Sequence, residues 1–153
     1  MTVDMDTEAR EEITGALSRL LADTYTLYLK TQGHHWNVTG PMFPALHAMF
    51  EAQYIELRDA VDLIAERIRT LGDRAPAGFK AYGALTSVDE TDGSLEALEM
   101  VRDLADGHET AVRTARVVVA AAEKADDIAT VDLATTRVEM HEKTAWMLRA
   151  TAQ

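Results

Sequence analysis

Cysteine is absent from this 153-residue chain, which excludes disulfides and thiolate metal sites. Aromatic residues make up only 6%, with 3 prolines and 8 glycines, while Ala, Leu and Glu are frequent; this balance favours helices. Lysine is scarce: Lys30, Lys80, Lys124 and Lys143 are the whole set, and the formal net charge is −11. Affinity for nucleic acid rests largely on neutralised phosphates, so broad phosphate-backbone binding is disfavoured. Near the start, Asp4, Asp6, Glu8, Glu11 and Glu12 stand against Arg10 alone. Such a surface repels DNA and attracts cations. No apolar run approaches the roughly 18 residues that span a membrane. The N-terminus lacks the basic start and apolar stretch of a signal peptide, so the expected place is the reducing cytoplasm.

What is present is helical periodicity. Four long patterns each carry one apolar stripe, and the length suits a single domain over 1–153 with a short disordered acidic N-terminus at 1–6. The first runs from about Thr7 to Trp36 through Ile13, Leu17, Leu20, Leu21, Tyr25 and Tyr28, and ends where Gly40-Pro41 breaks the helix. The second restarts near Pro44, a residue tolerated in a first turn, and carries Leu46, Phe50, Leu57, Val61, Ile64 and Ile68 to a stop at Gly72. A connection with Pro76, Gly78 and Gly83 follows, too long for a tight hairpin, and Phe79 to Leu85 within it reads as a short helix. The third pattern spans about Ser94 to Glu123, Asp126-Asp127 interrupts it, and the fourth spans about Thr130 to Ala150. Two helical pairs joined by one long crossover make an all-α, ferritin-like four-helix bundle with a short helix between helices 2 and 3.

The chemistry concentrates in one stretch: His34-His35-Trp36-Asn37-Val38, then His47-x-x-x-Glu51, then Asp62-x-x-x-Glu66. Both pairs are spaced i, i+4, so each shares one helix face, and imidazole with carboxylate suits a first-row metal such as iron. From His47 to Asp62 the helix advances roughly 22 Å while its direction returns to within about 60°. The pairs face the same way but cannot reach one ion. Either the chain carries two half-built sites, or a second copy crosses antiparallel about a two-fold axis near Glu56 and Leu57, so that the His47 pair of one meets the Asp62 pair of the other. His35 adds a ligand if the turn brings it back over His47.

Bland readings exist for each feature. His47 with Glu51 is an ordinary exposed helix pair when taken alone. Asp62 and Glu66 repel one another at i, i+4 unless a cation lies between them, and Arg58 one turn earlier is such a cation. His108 and His141 lie on apolar faces as satisfied core or interface histidines. Trp36 is either interface packing or, following a candidate ligand directly, an oxidisable neighbour of the metal. Asp126, Asp127 and Asp132 are a helix break with dipole compensation, or in a symmetric shell a carboxylate ring. A Glu-x-x-His motif, which builds di-iron centres inside single bundles, is missing: Thr31, Gln32, Pro44, Ala105 and Val138 stand three residues before the five histidines.

His35-Trp36-Asn37-Val38-x-Gly40-x-x-Phe43-x-x-x-His47, then Asp62-x-x-x-Glu66-Arg67 and His141-Glu-Lys-x-x-Trp146-Met147, resembles the Dps miniferritins, DNA-binding proteins from starved cells, across nearly the whole chain. The resemblance implies a ferroxidase centre shared between subunits, with His35 and His47 from one and Asp62 and Glu66 from its two-fold mate; the i, i+4 pairing with His47 adds Glu51 to that ligand set as the leading expectation. It further implies a hollow dodecamer that stores ferric mineral and takes hydrogen peroxide in preference to dioxygen as oxidant of ferrous iron. Glu51 stands where several members carry aspartate, and the basic tails used by DNA-binding members are missing. The leading expectation is therefore an iron-oxidising store. The rivals are a DNA-compacting protein in which iron is secondary, and a shell whose site is inactive or holds zinc.

Overall fold

The computed structural model describes residues 3–153. Among these residues the chain forms five helices and no strand: α1 Thr7–Asn37, α2 Phe43–Thr70, α3 Phe79–Leu85, α4 Ala97–Lys124 and α5 Ile128–Thr151. The all-α bundle with a short crossover helix is as expected. Of the acidic segment expected to be loose, Met1 and Thr2 lie outside the described residues, Val3 and Met5 pack against the core, and Asp6 caps α1 by accepting from Ala9 N at 2.8 Å.

The stops follow from backbone chemistry. Gly40 at φ +101° precedes Pro41, and Phe43 N donates to Gly40 O at 3.0 Å, which reverses the chain into α2. Gly72 at φ +104° ends α2 in a left-handed conformation that a side chain would resist. Asp126, a non-glycine residue at φ 53°, makes the tight α4–α5 joint.

Polar links give the directions. Lys30 on the upper part of α1 reaches Asp103 near the start of α4 at 3.0 Å, and Lys124 at the end of α4 reaches Glu12 near the start of α1 at 3.1 Å. Thus α1 and α5 run one way and α2 and α4 the other, and the crossover climbs the length of the bundle. Buried Asp23 fastens it: Thr86 Oγ1 and Ser87 N each donate to Asp23 Oδ1 at 2.7 Å, and Thr114 of α4 donates to Oδ2 at 2.5 Å. Leu17, Leu20, Leu21, Ile64, Ile68, Ala115 and Val118 fill the lower core, while Leu46, Phe50, Met100, Val101, Leu104 and Leu148 fill the upper one. Each fully buried Leu, Ile or Phe contributes about 1.5–3 kcal/mol. No helix among the described residues is long and apolar enough to cross a membrane.

Candidate metal centre

The α1–α2 turn brings His35, on the last turn of α1, against His47, one turn into α2. Their rings stack with centroids 3.8 Å apart and planes 12° from parallel. His35 Nδ1 donates to the His47 carbonyl oxygen at 2.7 Å, and His47 Nδ1 donates to the His35 carbonyl oxygen at 2.8 Å. A carbonyl only accepts, so both Nδ1 atoms carry the proton, and in the neutral rings both Nε2 atoms keep their lone pairs. The His35 carbonyl lies in the final turn of α1, where helix geometry supplies no partner, so the His47 ring caps it. Phe43 also stacks on His47 at 4.9 Å, and Tyr54 meets His35 edge-on at 5.3 Å. Carbonyl contacts of this kind are what fix the tautomer and direction of metal-binding imidazoles.

Glu51, Asp62 and Glu66 all lie exposed on α2, and no hydrogen bond or ion pair engages their carboxylates among the described residues. Arg58, the cation that would neutralise Asp62 in the bland reading, pairs instead with Asp59 at 3.5 Å. Within one chain no three His, Asp or Glu side chains among the described residues come together as an ion would require. Ile55 lies between the two pairs on the same helix face and is 37% exposed; Leu63, further round, is 61% exposed. Trp36 projects outward at 65% exposure and makes no ring contact among the described residues. His34 turns the other way: it is buried, and its Nε2 lies 3.0 Å from Asp103 Oδ2. Burial works against the Asp103 charge, yet hydrogen bonds from His34 and Lys30 outweigh it and hold the carboxyl below its ordinary range.

A second polar group lies inside the bundle. Arg137 of α5 donates to both Glu56 oxygens, at 2.7 and 2.8 Å, and its Nη2 approaches His141 Nε2 at 3.3 Å. His141 Nδ1 lies 2.8 Å from His108 Nδ1. An arginine only donates, so neutral His141 accepts at Nε2, donates from Nδ1, and leaves His108 with its proton on a buried Nε2 that has no partner. Burial, then the Arg137 charge, pushes His108 down to about 3; burial, then His108 and Arg137, also holds His141 well below its ordinary value. Both are neutral core groups, as their apolar settings suggest, but His108 is not fully satisfied as expected, because its buried Nε2 has no partner. Sequence reasoning did not find the His108–His141 contact or the Arg137–Glu56 pair. Tyr54 carried a usable signal, being seven residues after His47 and so on its helix face.

Asp127 is also taken up internally. It is buried, with Arg67 Nη2 donating to it at 2.8 Å and Thr130 N at 3.2 Å, which leaves Asp126 and Asp132 as the exposed acids of that group.

Comparison with known proteins agrees with this architecture. The family model of the ferritin-like domain matches residues 14–153. A DNA protection during starvation protein from Brevibacillus brevis is 34% identical over 146 residues, covering 95% of this chain and 98% of that protein. An uncharacterized low temperature-induced protein from Nostoc is 36% identical over 152 residues, covering 98% of this chain and 85% of its own length. The crystal structure of a Dps protein from Vibrio cholerae O1, described as a member of a broad superfamily of ferritin-like diiron-carboxylate proteins, matches with a TM-score of 0.94 at 31% identity over 100% of this chain and 98% of that one.

Proposed function

The chain belongs to the Dps family of ferritin-like proteins, whose membership implies iron storage and DNA protection, and from that premise we propose that it oxidises ferrous iron with hydrogen peroxide at a site shared between two subunits. His35, His47 and Glu51 of one subunit and Asp62 and Glu66 of the other hold the iron, and the ferric product is kept inside a closed homo-oligomer, a dodecamer, in the cytoplasm. The observation that carries this reading is the reciprocal His35–His47 arrangement, which engages both Nδ1 atoms, leaves both Nε2 atoms free and leaves their coordination incomplete within one chain.

The face of α2 supports the shared site. The unpaired carboxylates of Asp62 and Glu66 and the exposed Ile55 all lie on it. An antiparallel copy of that face covers Ile55 and sets acid against imidazole. Carboxylate ligands favour ferric over ferrous iron. Two ferrous ions each give up one electron, the O–O bond of peroxide breaks, and two protons from water complete two water molecules. Trp36, beside His35 in sequence and 65% exposed in the single chain, is one oxidisable neighbour of that site.

The test is anaerobic loading with ferrous iron followed by peroxide. Rapid peroxide consumption with soluble ferric product, against precipitation in a protein-free control, is the expected result. Oxidation and precipitation at the control rate refute the proposal.

A further inference from the structure

We propose that Tyr54, Tyr28, Tyr25 and Tyr82 form a relay that carries an oxidising equivalent from the His35 site along α1 to the crossover helix α3. These four are all the tyrosines of the chain. The inference rests on the iron-oxidising reading above and extends it to the fate of the equivalent left over when oxidation at the iron site is incomplete.

The geometry is continuous. Tyr54 meets His35 edge-on at 5.3 Å between ring centroids. Tyr28 lies 6.0 Å from Tyr54, Tyr25 lies 5.8 Å from Tyr28, and Tyr82 of α3 stacks on Tyr25 at 4.8 Å with planes 20° apart. Electron tunnelling falls off exponentially with the gap between ring edges, and each step here joins rings in or near contact. Packing alone explains neither the shared chemistry nor the hydroxyls. Among the described residues, Tyr25, Tyr28 and Tyr54 make no hydrogen bond through theirs, and none of the three is a buried unpartnered atom, so each reaches solvent within the chain. A phenol that loses an electron also loses its proton, and water at the hydroxyl can take it. Tyr82 at the far end donates to Pro76 O at 2.9 Å.

The chemistry arises when peroxide, a two-electron oxidant, meets a single ferrous ion. One electron comes from iron, one electron and the phenolic proton come from Tyr54, and one further proton comes from water. The O–O bond breaks to give two waters, leaving ferric iron and a tyrosyl radical. Each hop then moves one electron from the next tyrosine to the oxidised one; the donor's phenolic proton passes to water, and the restored tyrosine regains a proton from water. A thiol reductant restores Tyr82 by giving up one hydrogen atom and leaving as a thiyl radical. The oxidising equivalent thereby leaves the iron site without being released as hydroxyl radical.

The decisive variant is Tyr28→Phe, which keeps the ring and its packing but is much harder to oxidise. The assembled protein is given less ferrous iron than it has sites, then peroxide; radicals are read by freeze-quench electron paramagnetic resonance and oxidised residues by peptide mass spectrometry. Wild-type protein is expected to show a tyrosyl radical and modification at Tyr25 and Tyr82. In Tyr28→Phe these modifications fall severalfold while those at Tyr54 rise, and ferric formation with excess iron keeps its wild-type rate. Equal modification of Tyr82 in both proteins, with normal ferric formation, overturns the relay alone. Ferric formation no faster than a protein-free control overturns the iron-oxidising reading, and the relay with it.

Discussion

His35 and His47 hold each other by the same atoms in both directions: the Nδ1 of each donates to the main-chain carbonyl of the other, at 2.7 and 2.8 Å. The consequence is that neither ring can turn without breaking its own link, and together the two links tie the last turn of α1 to the first of α2, because each ring is bound to the backbone that carries the other. A ligand pair held this way is set before metal arrives, and little ordering is left for binding to impose.

Trp36 and Trp146 provide an internal comparison, being 65% and 67% exposed. Within the single chain neither is shielded more than the other. After peroxide with limiting ferrous iron, Trp36 is expected to be modified severalfold more than Trp146, read by peptide mass spectrometry; equal modification removes Trp36 from the iron chemistry.

The buried histidines make stability depend on acid. His108 is held down to about 3 against an ordinary 6.5, and His141 is lowered as well, so below pH 6.5 the unfolded chain binds protons that the folded one refuses. Stability is therefore fully present above pH 6.5 and is lost as pH falls from there toward 3 on account of His108, by on the order of 1 kcal/mol per pH unit, and His141 acts in the same direction. Urea midpoints between pH 7 and pH 4 check this. A flat profile contradicts it.

Glu56→Gln leaves the Arg137 charge inside the bundle with a neutral partner. Arg137 has 6% and Glu56 35% of its side chain exposed, so solvent screens one end of the pair. Breaking a fully buried pair costs about 3–5 kcal/mol, and a loss of about 2 kcal/mol is expected here, visible as a lowered thermal midpoint. An unchanged midpoint shows that the pair contributes nothing to stability.

DNA affinity is expected to be weak. A net charge of −11 with four lysines offers few contacts to phosphates. A gel-shift titration at low salt, with and without divalent cations able to bridge carboxylate to phosphate, is expected to show retardation only with the cations. Tight binding in their absence supports the DNA-compacting alternative.

Helix positions were legible because glycine, proline and apolar spacing act locally. Gly40-Pro41 and Gly72 mark real stops, and Phe79 to Leu85 is a helix with those bounds. The start of α4 falls three residues later than its apolar pattern suggests, at Ala97 rather than Ser94. There the Asp92 carboxylate accepts from both Ser94 N and Ser94 Oγ and keeps the chain in a turn. The facing of His47, Glu51, Asp62 and Glu66 could be computed from helix geometry. The His35–His47 hydrogen bonds could not, since they depend on the turn between two helices. His108 and His141 are 33 residues apart on different helices, and Asp23 looks like any polar residue in mid-helix until the crossover is seen bound to it. Arg58 shows the opposite failure: its spacing promised Asp62, and it pairs with its neighbour Asp59.

The most direct measurement of the shared site combines two damaged subunits. His47→Ala and Asp62→Ala proteins are each prepared, shown to keep the wild-type oligomeric state, then dissociated and reassembled together. Each alone is expected to oxidise ferrous iron at the protein-free rate. In a mixed dimer one of the two sites receives both substitutions and the other receives neither, so the mixture should recover a sizeable fraction of the wild-type rate with peroxide. Verified hybrids that show no recovery, or single variants as fast as wild type, contradict a centre built from His47 of one subunit and Asp62 of the other.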